Sequence, residues 1–280
     1  MILKEVLDYG KIILKEHNIE DSDIILKMLI EYVFGIEKQK IIIYLENEID
    51  DYKVQEFKKY IEKLKSGIPI QYITNKQEFM KLEFYVDENV LIPQPDTEIL
   101  VEEIIEQYKN EKCKILDLCT GSGAIGISLA KYLPNSQVFV SDISEKAIQI
   151  AKLNSEKNGV HNKIIFFESD MFKNIDEKNF DIIVSNPPYI ETDIIGTLDM
   201  QVKNEPHIAL DGGKDGLKFY RIIAKEAIKF LKPEGKIFLE IGYNQKLSVE
   251  KILNQENYKN IYLKKDLGNN DRAIIATVRG

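Results

Sequence analysis

The stretch Phe180-Asp181-Ile182-Ile183-Val184-Ser185-Asn186-Pro187-Pro188-Tyr189 decides how the chain is read. Its first half is an apolar, β-branched run bounded by polar residues, the pattern of a buried strand in a parallel sheet. Its second half cannot extend that strand. Pro187 and Pro188 lack N–H donors and fix φ, and each drives the residue before it into the extended region. This predicts a stiff, exposed tetrapeptide at the carboxyl end of a central strand, the edge where open α/β sheets bind ligands. The four residues suit one kind of chemistry. The Asn186 side-chain oxygen accepts one hydrogen bond, and a nearby backbone carbonyl accepts a second. Two convergent acceptors hold both hydrogens of a planar –NH2 group, and the Tyr189 ring packs on its plane. The nitrogen then presents its face to an electrophile, and the acceptors stabilise the positive charge that develops. A plain strand end followed by a proline turn is the competing reading. The glycine loop upstream weighs against it.

Asn-Pro-Pro-Tyr in this position resembles the amino-methyltransferases that use S-adenosylmethionine. The wider chain is similar to one branch of them, the peptide chain release factor glutamine methyltransferases. Two further stretches carry the narrower resemblance. They are Ile92-Pro93-Gln94-Pro95-Asp96-Thr97-Glu98 and Glu205-Pro206-His207-Ile208-Ala209-Leu210-Asp211-Gly212-Gly213-Lys214-Asp215-Gly216-Leu217. The turn Asp266-Leu267-Gly268-Asn269-Asn270-Asp271-Arg272 also resembles the family's carboxyl end. The chain departs from the family twice. Gln94 stands where Arg is usual, which leaves any charge-based role there open, and Cys119 stands where Gly is common.

The cofactor half is read from Lys114-Ile115-Leu116-Asp117-Leu118-Cys119, a buried strand, and Thr120-Gly121-Ser122-Gly123-Ala124-Ile125-Gly126, a glycine loop entering a helix. Gly121 and Gly123 let the backbone approach a ligand and adopt positive φ. The same spacing occurs in nicotinamide sites. Asp117 would repel a pyrophosphate, yet it suits a ligand carrying an ammonium and a sulfonium, and Asn-Pro-Pro-Tyr has no role in hydride transfer. The expected cofactor is therefore S-adenosylmethionine, held by Asp117, Cys119, Thr120, Gly121, Ser122, Gly123, Asp142 and Asn186. Asp142 ends the second strand, residues 137–142, and can accept both ribose hydroxyls. It could instead cap the following helix, although Ser144 is placed to fill that cap. The resemblance implies that Asp170 meets the adenine amino group and that Met171 lines the adenine pocket. Met171 equally fits as core filler.

Composition bounds the rest. The chain has 280 residues, 44% hydrophobic and 30% charged, enough for one ordinary domain and a small one. The net charge of −8 lacks the basic footprint of a nucleic-acid binder. Cys113 and Cys119 form no CxxC pair, so neither a zinc site nor a disulfide scaffold is expected. No signal peptide and no membrane-spanning run is evident, and the expected location is the cytoplasm.

Residues 1–70 read as short helices, near 2–14, 22–34, 38–45 and 51–65, forming a small domain without a catalytic constellation. Packing and gripping of a macromolecular substrate both remain open for it. Residues 71–91 read as a β-hairpin linker, with strands at 70–73 and 82–86. Asp96 or Thr97 is expected to cap a helix over 98–108. A helix over 217–231, a fifth parallel strand over 236–241, and two last strands over 258–264 and 273–278 complete residues 92–280. His207 sits in a long loop at 190–215, and the chemistry above needs no histidine.

The expected fold is α/β: a seven-stranded, doubly wound methyltransferase sheet with an N-terminal helical domain and a linking hairpin. The resemblance implies transfer of a methyl group from S-adenosylmethionine to a glutamine side-chain amide. That glutamine would lie in the Gly-Gly-Gln motif of peptide chain release factors, the expected protein partners. Asn186, Pro187, Pro188 and Tyr189 would hold it, with Asn186, Pro187 and Tyr189 doing the catalytic work. Methylation of exocyclic base amines in DNA or RNA is the same-chemistry alternative. A non-catalytic protein-binding module is the other.

Overall fold

The computed structural model describes residues 1–279 and divides into two compact units. The first comprises Met1–Asn75 together with Asp199–Asn204. The second comprises Lys76–Leu198 and the chain from Glu205 onward.

The first unit is helical. Helices α1 (Leu3–Glu16), α2 (Ser22–Phe34) and α3 (Asp51–Lys65) bury one apolar stripe each. Leu3, Leu14, Leu26, Leu29, Phe57, Ile61 and Leu64 meet in a single core cluster. Gly35 ends α2 in the left-handed region, where its N–H reaches the Glu31 carbonyl. A 3-10 turn at Lys38–Tyr44 occupies the predicted third segment. Residues 70–73, expected as a strand, fall instead in a short helix, α4 (Ile70–Thr74). A run of four apolar and polar residues fits one helical turn as well as a strand. Here Pro69 precedes the first turn, the Thr74 hydroxyl donates to the Ile70 carbonyl, and Ile70 and Ile73 face the same core.

The second unit begins with a hairpin of β1 (Gln77–Phe79) and β2 (Leu82–Phe84), shorter than predicted and later in the chain. Its two turn residues, Met80 and Lys81, both have positive φ, the geometry of a type I′ turn built without glycine. The turn is held from outside. Glu98 accepts from the Met80 N–H at 2.6 Å, and the Tyr132 hydroxyl donates to the Met80 carbonyl at 2.6 Å.

The main sheet contains β3 (Lys114–Leu118), β4 (Gln137–Asp142), β5 (Ile164–Glu168), β6 (Phe180–Ser185), β7 (Leu231–Glu240), β8 (Lys259–Lys265) and β9 (Asp271–Thr277). Their order is β5-β4-β3-β6-β7-β9-β8, parallel except for β9, which runs antiparallel to both of its neighbours. The seven-stranded, doubly wound sheet is thus present. Alternate residues of each central strand serve opposite faces. Leu116, Leu118 and Ile183 join one core, and Ile115, Ile182 and Val184 join the other. The strand expected from residue 236 starts at Leu231. Between the pairings Phe180–Leu231 and Ile182–Lys236, β7 carries three extra residues around Pro233 and Glu234, the latter at φ +65°. The preceding helix correspondingly ends at Ala227.

The topology fixes where chemistry can occur. From β3 the chain winds outward through β4 and β5, then crosses to β6 on the other side, which places the switch point between β3 and β6. In register, Leu118 pairs with Ser141 and Ser185, and Ser185 pairs with Leu239. One residue further along each strand, Asp142, Cys119, Asn186 and Glu240 form a row across the carboxyl edge. Among the described residues, no helix is long and apolar enough to cross a membrane.

Candidate active site

A cavity of about 700 Å³ opens at that edge. Of the residues singled out from sequence, Cys119, Gly121, Asp142, Asp170, Met171, Asn186 and Pro188 form its wall. Asp117, Thr120, Ser122, Gly123, Pro187 and Tyr189 do not.

Asp117 differs most from expectation. Its carboxyl is fully buried behind the glycine loop, where one oxygen accepts from the Thr120 hydroxyl at 2.6 Å and the Gly126 N–H at 2.9 Å. The other oxygen has no hydrogen-bond partner. Burial pushes its pKa up to about 7 against those two donors. Asp117 is therefore tied to the glycine loop from behind and lies outside the cavity wall. Thr120 acts with it, and the Ser122 carbonyl is tied to Asn154, whose amide also brackets the Tyr85 backbone.

Asp142 stands at the cavity wall. Its carboxylate accepts the Gly121 N–H at 2.9 Å and the Ser144 N–H at 3.0 Å. Burial raises its pKa, opposed by those backbone donors. Ser144 caps the next helix by accepting from the Ala147 N–H, so Asp142 is free of that duty. Two backbone bonds leave lone pairs for a diol. A Cβ built on Gly121 would meet nothing within 4 Å, so that residue leaves open space on the cavity side of the loop. Ile143, Met171, Phe172 and Phe219 add apolar wall. A carboxylate, a side-chain-free backbone and an apolar slot fit an adenosyl ligand.

Two wall residues are strained. Cys119 has φ +59° and Met171 φ +53°. This explains why Gly suits position 119: an L-residue there costs about 1–2 kcal/mol. The two sulfurs lie 3.9 Å apart. Asp170 pairs with Lys173 at 2.5 Å and keeps a half-exposed carboxylate at the cavity mouth.

Asn186 follows Ser185, whose hydroxyl fastens β6 to the Leu118 carbonyl of β3 at 2.7 Å. The Asn186 Nδ2 donates to Thr97 Oγ1 at 3.3 Å, and Thr97 Oγ1 donates to Glu240 Oε2 at 2.6 Å. The expected capping role of Thr97 is thus replaced. A 3-10 turn at Pro95–Thr97 leads into the helix Glu98–Tyr108 with no side-chain cap, and the hydroxyl turns to Glu240. The Tyr189 hydroxyl lies 3.4 Å from Glu240 Oε1. Burial beside Glu240 raises its pKa, so it stays protonated. Arg272 bridges Asp96 and Asp266 at 2.9 Å each, joining two of the family-like stretches. Gln94 donates to the Ile92 carbonyl at 3.0 Å and holds the turn between the prolines.

The loop after Tyr189 is braced against the motif. A Cβ on Gly212 would lie 2.7 Å from Tyr189 Cα, and one on Gly216 would collide with the Tyr189 carbonyl. Gln245 Nε2 donates to that same carbonyl at 2.9 Å. Pro206, Ile208 and Ala209 extend the cavity wall, whereas His207 is exposed and is not part of it. Glu240, Gln245 and Thr97 in this role were missed from sequence. The pairing of Thr97 with Glu240 spans 143 positions, and no local pattern signals it.

A family profile described as "Methyltransferase small domain" matches residues 94–197, and one described as "PrmC N-terminal domain" matches residues 5–74. A release factor glutamine methyltransferase of Clostridium acetobutylicum is 43% identical over 288 residues, covering 100% of this chain and 99% of the relative. Another, of Clostridium botulinum, is 39% identical over 280 residues, covering 99% of each. A solved structure of a methyltransferase from Pyrococcus furiosus shares the fold with a TM-score of 0.56 at 19% identity. It covers 80% of this chain and 99% of that one. The chain therefore belongs to the release factor glutamine methyltransferase family, a family of S-adenosylmethionine-dependent protein-glutamine N-methyltransferases.

Proposed function

We propose that this chain transfers a methyl group from S-adenosylmethionine to the side-chain amide nitrogen of the glutamine in the Gly-Gly-Gln motif of peptide chain release factors. The observation that carries the reading is the Asn186 amide. Its –NH2 is committed to Thr97, which leaves Oδ1 as an acceptor at the wall of the cofactor cavity. The substrate's acceptor site is then Asn186 Oδ1 with the Pro187 carbonyl, and Pro188 and Tyr189 frame it.

When bound, the cofactor supplies an electrophilic methyl carbon on a sulfonium. The chain's own residues do the rest. Asn186 Oδ1 and the Pro187 carbonyl accept the two amide hydrogens, fix the plane of the group and turn its face toward the methyl donor. They also stabilise the positive charge that grows on nitrogen. An amide proton becomes acidic once the nitrogen is alkylated, so no base is required beforehand. The apolar wall of Met171, Phe172 and Phe219 keeps the adenosyl side dry. Asp142 carries the ribose. The helical unit of residues 1–75 grips the protein substrate, since it holds its own core and carries no cofactor residue.

The test uses the purified chain, labelled cofactor, and release factor, DNA and RNA offered as acceptors. One methyl group on one glutamine of the release factor, located by intact mass and peptide mapping, is the expected result. Label in nucleic acid, or in neither, overturns the proposal.

A further inference from the structure

We infer that Thr97 and Glu240 are positioning residues for methyl transfer, setting which end of the Asn186 side-chain amide faces the substrate. This rests on the reading above, in which Asn186 Oδ1 holds the amide.

The two ends of an asparagine amide are nearly the same size, so packing does not distinguish them. Hydrogen-bond polarity does. A substrate –NH2 needs an acceptor, and a flipped Asn186 would offer it a donor instead. Polarity is imposed from Glu240. A carboxylate only accepts. Thr97 Oγ1 has one proton, and the 2.6 Å bond to Glu240 Oε2 consumes it. What remains on Thr97 is a lone pair, which only the Nδ2 end of Asn186 can satisfy, and that is the bond observed. Oδ1 is thereby left to the cavity. Without an acceptor behind Thr97, its hydroxyl could donate to Asn186 and stabilise the opposite orientation.

Glu240 is built to stay in place. It is 2% exposed and ends β7, in register beside Ala273 of β9. The Tyr189 hydroxyl faces its second oxygen, and the Tyr220 hydroxyl donates to its backbone carbonyl at 3.0 Å. Of the charged groups around it, Arg272 favours the carboxylate and Asp96 opposes it. Burial holds its pKa up at about 7, so the chain of polarity should fail as pH falls through that value. A protonated Glu240 becomes a donor, and Thr97 no longer has to point its proton there.

The experiment compares the full chain with Thr97→Val and Thr97→Ser. Single-turnover methylation of the release factor, cofactor affinity by calorimetry and a pH profile are measured for each. Thr97→Val should lower the methyl-transfer rate about tenfold with cofactor Kd unchanged, the scale of one hydrogen bond. Thr97→Ser should restore most of it. The wild-type rate should decline below pH 7, and Thr97→Val should lose that inflection. A wild-type rate in Thr97→Val, or equal losses in Val and Ser, overturns the inference. A wild-type chain that methylates no release factor overturns the proposed function instead. The orientation is then still read by nuclear magnetic resonance of the unmodified chain. The Asn186 side-chain –NH2 should exchange slowly and shift as Glu240 titrates. Fast exchange with no pH-dependent shift refutes the inference without any variant.

Discussion

Replacing Asn186 by Ala tests the proposed chemistry most directly. The side chain has two ends with separable duties. Nδ2 makes one 3.3 Å bond to Thr97, long for an N–H···O contact, so its loss should cost stability no more than about 0.5–1.5 kcal/mol. In the proposed reaction Oδ1 is one of two acceptors that meet charge as it develops on the substrate nitrogen. Removing one preorganised group of that kind typically lowers kcat by about 10²–10³, or about 2.7–4 kcal/mol. The effect should fall on kcat more than on cofactor affinity, because the stabilisation grows toward the transition state. Asn186 also lines the cavity proposed to hold the cofactor, so a modest rise in cofactor Kd is expected. The assay is single-turnover methylation of the release factor under saturating cofactor, with Kd from calorimetry and folding checked by thermal melting. A variant with normal kcat and only a weaker cofactor Kd would make Asn186 a binding residue and refute the mechanism.

Four further outcomes are expected. Asp142→Ala should weaken cofactor binding at least about tenfold, since a hydrogen bond to a charged group is worth roughly 1.5–3 kcal/mol, and unchanged calorimetric affinity would remove the ribose role. Gly216→Ala should destabilise the chain by about 1–3 kcal/mol and depress kcat, because its Cβ collides with the Tyr189 carbonyl at φ +67°; an unshifted denaturation midpoint would contradict the brace. Glu240 has a folded pKa pushed up to about 7, above the ordinary carboxylate range near 4.5, so its contribution to stability is full below that range and fades as pH rises through about 7; wild type should therefore lose stability relative to Glu240→Gln across this window, and a pH-independent difference would show that Glu240 does not titrate there. Removal of residues 1–75 should leave cofactor affinity nearly intact and lower kcat/KM on the intact release factor, and an undiminished value would reduce that unit to packing.

Local pattern was enough for much of the architecture. The apolar runs at 114–118, 137–142 and 180–185 are buried on both faces, so their burial is written in composition and each strand lies where it was expected. Periodicity similarly located α1, α2 and α3. Where the same residues satisfied two periods, tertiary packing chose. Ile70–Thr74 became helix because two isoleucines one turn apart had a core to enter. The hairpin turn at Met80-Lys81 carries no turn residues, and it holds positive φ because Glu98 and Tyr132 grip it from elsewhere in the chain.

The site divides the same way. Sequence alone determined that a rigid Asn-Pro-Pro-Tyr segment ends a central strand, because proline geometry and β-branched burial act within a few residues. It also pointed to the glycine loop after one strand and to Asp142 at the end of the next as ligand-facing positions, and Gly121 and Asp142 both lie in the cavity wall. Only the tertiary structure decided what each group faces. It turned Asp117 away from the cavity and placed Cys119 in a left-handed position. It also ran Thr97 and Glu240 into a chain of hydrogen bonds ending on Asn186. The reason is physical. A strand or turn is set by interactions among neighbours in sequence, whereas the orientation of a hydrogen bond is set by whichever donors and acceptors the completed sheet brings to its edge.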